Sequence, residues 1–139
     1  VDQTDPAKLI DLVDENFPDG IDLVIDDASH IGSFSRITFD TVFPYVNARG
    51  IYIVEDWGAG YWDRWADGAR FQYFPLKTSA GTLPTRIPSH DCGMVGFVKS
   101  LVDFTHEGAI QSERGPSREG SSRIKRLEFG EGYCLALKS

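Results

Sequence analysis

Long apolar runs are missing: no stretch approaches the roughly 18–20 residues that a membrane-spanning helix needs. Sulfur is scarce as well. Two cysteines, Cys92 and Cys134, in 139 residues are too few for a disulfide scaffold or a four-cysteine zinc site. Both are expected to be reduced and structural, Cys134 because it sits in an apolar strand pattern. Basic charge is in deficit, with 14 Lys and Arg against 21 Asp and Glu and a formal net charge of -7. A surface of that sign repels a phosphate backbone, so neither nucleic acid nor a membrane is an expected partner, whereas a cation is. The opening Val1-Asp2-Gln3-Thr4-Asp5-Pro6 is acidic and polar and shows no secretory pattern, which makes the expected location cytoplasmic. What remains is enough for a core: 41% hydrophobic and 12% aromatic residues, in a length that fits one domain or a piece of one.

Periodicity orders the chain. Asp5-Pro6 is a helix start, and Leu9, Ile10, Leu12, Val13 and Phe17 recur at helical spacing until Pro18-Asp19-Gly20 stops them. Ile21-Asp22-Leu23-Val24-Ile25 reads as a buried parallel strand running into Asp26-Asp27. The pattern predicts a helix over 34–46, with Ser33 as cap, Ile37, Val42 and Val46 inward, and Asn47-Ala48-Arg49-Gly50 as its stop. Ile51-Tyr52-Ile53-Val54 then repeats the strand pattern and ends in Glu55-Asp56. Residues 57–90 hold all three tryptophans without a strong period and are expected to form a long functional loop. A third helix is predicted over 91–104, with Val95, Val98, Leu101 and Val102 apolar, and a flexible Gly/Ser-rich loop over 113–123. Two β runs around Gly130-Glu131-Gly132 predict an antiparallel hairpin. The fold class is therefore α/β, with strands joined by a helical crossover so that their carboxyl ends share one sheet edge, where open α/β sheets bind ligands.

That edge would gather Asp26, Asp27, Glu55 and Asp56. Clustered carboxylates repel one another unless a cation neutralises them, and oxygen ligands suit Mg²⁺, with Ca²⁺ or Mn²⁺ as alternatives. His30 follows Asp27 by three residues, close enough to act on a group held at such an ion. The competing reading makes the acids helix caps facing water and His30 a solvated or structural side chain. Gly58-Ala59-Gly60 is rejected as a phosphate loop, because the third glycine is replaced by Asp63. Ser89-His90-Asp91 with Cys92 is read as loop and cap in preference to a second metal set. No Gly-x-Ser-x-Gly elbow is present.

The stretch IDLVIDDASHIGSFSRITFDTVFPYVNARGIYIVEDWGAGYW, residues 21–62, resembles class I S-adenosylmethionine-dependent methyltransferases. It is most similar to the metal-dependent sugar O-methyltransferases that tailor macrolide antibiotics, relatives of cephalosporin-hydroxylase-type and rhamnosyl O-methyltransferase sequences. The pairing of Asp-Asp-x-Ser-His with a later Ile-Val-Glu-Asp-Trp carries the likeness. The resemblance implies a Rossmann-like methyltransferase sheet and natural-product biosynthesis. It implies Asp27, Glu55 and Asp56 as Mg²⁺ ligands, His30 as general base, and Asp2, Asp26 and Ala28 beside the S-adenosylmethionine pocket. Val1-Asp2-Gln3 would end an earlier strand. The acceptor would be a hydroxyl of a sugar or glycosylated natural product, with Trp57, Tyr61 and Trp62 in a substrate or lid segment. The family's glycine-rich turn and the acidic residue ending its second strand have no counterpart here. The chain thus reads as a single partial methyltransferase domain, 1–139, truncated at its N-terminus. A homo-oligomer or a missing N-terminal segment would then cover the exposed sheet. Two alternatives stay open: an inactive methyltransferase-like domain that binds a metal or a protein partner, and a metal-assisted hydrolase using the same acids.

Overall fold

The Asp5 carboxylate accepts the Lys8 N–H at 3.3 Å, and Pro6 fills the first helical position of α1 (Pro6–Asn16). This helix buries Leu9 and Val13 and leaves Leu12 exposed. The chain then forms β1 (Ile21–Asp26), α2 (Gly32–Val42), a 3-10 turn at Phe43–Tyr45 and β2 (Val46–Glu55). Two further 3-10 turns, Trp57–Tyr61 and Gly68–Arg70, precede α3 (Gly93–Thr105) and α4 (Glu107–Arg114). A hairpin of β3 (Ile124–Phe129) and β4 (Tyr133–Lys138) ends the order. The structure is a computed structural model that describes residues 1–71, 89–115 and 124–139.

The four strands form one sheet in the order β1-β2-β4-β3. β1 pairs parallel to β2, and β4 lies antiparallel between β2 and β3. This is the α/β arrangement expected from the sequence, a parallel unit carried through α2 and joined to the predicted hairpin. The registers align Val24, Tyr52, Ala136 and Leu127 in one row, and Asp26, Val54, Cys134 and Phe129 in the next. Tyr52, Val54, Cys134 and Ala136 meet Phe39 of α2 and Met94, Val98 and Leu101 of α3 in the core. Phe39 stacks on Phe43 with ring centroids 4.5 Å apart and meets Tyr52 edge-on at 5.1 Å. Both cysteines are free, as expected, and burial pushes the Cys134 thiol up to about 12.

Successive strand residues face opposite ways, so the alternate rows lie on the other side of the sheet. Those rows are Leu23-Ile51-Leu137-Arg126 and Ile25-Ile53-Leu135-Glu128. Leu23 and Ile25 are more than half exposed there, at 54% and 53%. Among the described residues β1 also has no partner on its outer edge.

Several expectations need correction. α2 begins at Gly32 with Ile31 at its cap and no side-chain cap bond, so Ser33 lies inside the helix. Ser35 and Phe39, one turn apart, are buried in place of the predicted Ile37. Val46 is buried, as expected, but as the first residue of β2, and Asn47–Gly50 belong to that strand as an irregular stretch with Arg49 at φ 68°. A polar tetrapeptide that ends in glycine and holds one left-handed residue, here Arg49, mimics a helix stop when it forms a bulge. Val102 faces solvent, whereas Met94 and Phe97 are buried. α4 has no counterpart in the sequence pattern: none of its residues is buried, so no apolar stripe marks it, and it ends at Arg114 inside the expected loop. Residues 116–123 and 72–88, the rest of the two expected loops, lie outside the described residues. Val1–Gln3 join no strand; Asp5 N–H donates to the Asp2 carbonyl at 3.1 Å, which closes a turn instead.

Candidate metal centre

Because Asp26 pairs with Val54, β1 and β2 end side by side, and the chain leaves them at Asp27 and Asp56. The chain there adopts left-handed backbone at His30, φ 52°, and at Asp56, φ 49°. Asp56 is fixed there by its N–H, which donates to the Gly132 carbonyl of the hairpin turn at 2.7 Å. One ligand atom each of Asp27, His30 and Asp56 then lies within 4.8 Å of the others. The two carboxylates are exposed and the imidazole is nearly enclosed, at 11% exposure. His30 turns Nε2 toward Asp27 Oδ1, 3.7 Å away, while its Nδ1 is buried and unpartnered. Trp65 meets the imidazole edge-on at 5.0 Å.

Glu55 is not in this group. It follows the buried Val54 on β2, so the pleat sends its side chain to the opposite face. Asp26 is 5% exposed, on the core side of β1. Desolvation pushes its carboxyl above the ordinary range, opposed in part by the nearby Ser35 hydroxyl, His30 and the Tyr52 hydroxyl. Its Oδ2 and the Tyr52 hydroxyl both lack a full hydrogen bond, and burial, followed by the charge of Asp26, raises the Tyr52 hydroxyl as well.

Ala28 and Ser29 of the 27–30 loop also border an open pocket of about 550 Å³. Val1, Asp2, Gln3, Thr4, Ala28, Ser29 and Phe34 line it; Asp26 does not. Gln3 ties its walls together: Oε1 accepts the Ser29 N–H at 3.2 Å, and Nε2 donates to the Thr38 hydroxyl at 3.1 Å. Asp2 accepts from the Thr4 hydroxyl at 2.7 Å and the Thr4 N–H at 2.9 Å, which holds its carboxyl below the usual range.

The aromatic side chains divide. Trp57 Nε1 donates to the Gly130 and Tyr133 carbonyls, both at 3.1 Å, so this ring pins the hairpin. Tyr61 packs edge-on to His90 at 5.2 Å, and Trp62 is 43% exposed with the Arg64 guanidinium 5.0 Å from its ring. His90 is buried, donates Nε2–H to the Gly60 carbonyl at 2.7 Å and stacks on Phe71. Among the described residues His90, Asp91 and Cys92 form no metal-ligating group, and Asp91 accepts instead from the Ser89 hydroxyl at 2.7 Å. Trp65 and Asp67 are site neighbours that the sequence marks only as members of the aromatic, charge-interleaved segment, with no role of their own. Nothing local marks them further, since both act through contacts distant in sequence.

Two exposed carboxylates and an imidazole at the ends of parallel neighbouring strands define an α/β protein with a site suited to a hard divalent cation. The chain is similar to curated O-methyltransferases and spans between about a quarter and a third of their length. It is 38% identical over 138 residues to the 8-demethyl-8-alpha-L-rhamnosyl tetracenomycin-C 2'-O-methyltransferase of Streptomyces olivaceus, covering 99% of this chain and 31% of that protein. It is 33% identical over 116 residues to the demethylmacrocin O-methyltransferase of Streptomyces fradiae, covering 84% of this chain and 25% of that one. The solved MycE methyltransferase from the mycinamycin biosynthetic pathway, in complex with Mg, SAH and mycinamycin VI, superposes with a TM-score of 0.65 at 29% identity. That match covers 100% of this chain and 31% of MycE. No protein-family model matches, and no described helix is long and apolar enough to cross a membrane.

Proposed function

We propose that this chain carries the metal and acceptor side of an S-adenosylmethionine-dependent, Mg²⁺-dependent O-methyltransferase that acts on a hydroxyl of a sugar or glycosylated natural product. The observation that supports it is the meeting of Asp27, His30 and Asp56 at adjacent strand ends. The donor set fits the ion: exposed carboxylates suit Mg²⁺, and an imidazole is a poorer ligand for it, free to serve as a base. Asp27 and Asp56 would hold the ion, and Glu55, whose side chain the β2 pleat sends to the opposite face, would stay outside that set. When bound, a divalent ion polarises a hydroxyl and lowers its pKa. His30 takes the hydroxyl proton at Nε2, a contribution of roughly 10²–10⁴-fold. The open pocket lined by Asp2, Ala28 and Ser29 would take part of S-adenosylmethionine, and the exposed ring of Trp62 offers an apolar face to a sugar.

The experiment is calorimetric titration of the chain with S-adenosylmethionine in the presence of Mg²⁺. Micromolar binding supports the enzyme reading. Mg²⁺ binding with no response to the donor supports the alternative, a metal-binding domain that transfers nothing.

A further inference from the structure

Neither α2 nor α3 supplies its own N-cap: Ile31 and Cys92 stand at the cap positions, and neither makes a side-chain cap bond. One carboxylate from elsewhere serves both. Asp67 Oδ2 accepts the Gly32 N–H at 2.7 Å and the Met94 N–H at 2.8 Å, and Asp67 is only 3% exposed. The helix starts are close enough that a Cβ on Gly32 would lie 2.1 Å from the Gly93 carbonyl carbon. Orphan N–H groups and the positive end of two helices favour a carboxylate there.

The same short segment also touches the imidazole. Trp65 N–H donates to the Trp62 carbonyl at 2.8 Å, and the Trp65 carbonyl accepts the Ala69 N–H at 2.8 Å. Trp65 and Asp67 thus belong to one hydrogen-bonded turn. Trp65 lies edge-on to His30, and Asp67 grips the backbone two residues further along, at Gly32. His30 itself sits in left-handed backbone, which side chains other than glycine rarely adopt, so it depends on its surroundings to stay there.

We propose that Asp67 is a positioning residue for His30, holding the 30–32 turn under the Trp65 ring so that Nε2 faces the carboxylates. The aromatic segment and the imidazole then move as one unit. The proposal rests on the methyltransferase reading only for the role given to His30; the geometry is a property of the chain without ion or donor.

The test uses the whole chain, free of metal, labelled with ¹⁵N and ¹³C. The His30 ring protons should be displaced from their ordinary positions by the Trp65 ring current, a displacement that Trp65→Leu abolishes. Asp67→Ala should remove that displacement and speed amide exchange at Gly32 and Met94 by roughly tenfold or more, as expected for the loss of a charge-assisted hydrogen bond. Asp67→Asn, which keeps one acceptor oxygen, should preserve both. If Asp67→Ala does not fold, Asp67→Ser takes its place with the same readouts. An unchanged His30 displacement alongside faster Met94 exchange would make Asp67 a helix cap and nothing more, and would overturn the proposal. A separate Mg²⁺ titration reports on the metal reading, so the two ideas fail independently.

Discussion

An oxygen of the Asp27 carboxylate, just past β1, lies within 4.8 Å of an oxygen of the Asp56 carboxylate, just past β2. Like charges this close repel, and a divalent ion between them reverses the sign of the interaction. Mg²⁺ should therefore stabilise the chain, by about 2.7 kcal/mol at a hundredfold excess over its Kd. Asp27→Asn and Asp56→Asn should each weaken binding by roughly tenfold or more, since each removes a charged ligand. Glu55→Gln should leave it within about twofold of the parent, because the pleat of β2 sends that side chain to the opposite face. Calorimetry with MgCl₂ checks all three, and an unchanged Kd in both aspartate variants would sink the site.

Gly32→Ala should destabilise the fold by about 2–3 kcal/mol, because the added Cβ meets the Gly93 carbonyl carbon at 2.1 Å and backbone cannot move aside cheaply. Ser33→Ala, one residue on at an exposed position, should change stability by less than about 0.5 kcal/mol. Urea unfolding of the two variants tests whether the close approach of α2 and α3 is as tight as it stands. Equal midpoints would show that it is not.

The strand-helix-strand order and the acids at the strand tips were legible because they obey local rules. An apolar β-branched run ending in charge, such as Ile21–Asp27, has few other readings. What stayed hidden acts at a distance. Asp67 caps two helices that lack their own caps, so no capping pattern precedes Gly32 or Gly93. The 47–50 bulge looks like a helix stop because Asn and Gly mark both, although here the left-handed residue is Arg49. Glu55 and Asp56 are equivalent in sequence; only the pleat of β2 and the left-handed turn at Asp56 separate them.

The open face of the sheet predicts self-association. Leu23 and Ile25 stand exposed beside Ile51, Ile53, Leu135 and Leu137, with charge only at the β3 end of the rows. Contiguous apolar surface of this kind favours association. A Leu23→Lys, Ile25→Lys double variant should lower the sedimentation coefficient of the chain at high concentration. Its thermal midpoint should shift little, because both side chains are already half in water. A wild-type chain that sediments as a monomer throughout would refute the prediction.

Asp26 should make stability depend on pH in a particular direction. Burial raises its folded-state pKa above the ordinary value of 3.8, so the folded chain holds this proton more tightly than the unfolded chain does. The cost of the buried ionised carboxylate is present in full above the folded pKa. It shrinks as pH falls through that value and is gone below about 3.8. Asp26→Asn removes the charge and keeps the shape, so the variant should unfold at higher urea than the wild type near pH 7. The advantage should fade as pH falls into the window between the folded pKa and 3.8. The acidic pair of Asp27 and Asp56 is present in both proteins and cancels from the comparison, provided metal is absent. An advantage of the same size at pH 7 and at pH 3.5 would mean that the Asp26 carboxyl is neutral throughout, or that the effect of the variant lies in packing and not in charge.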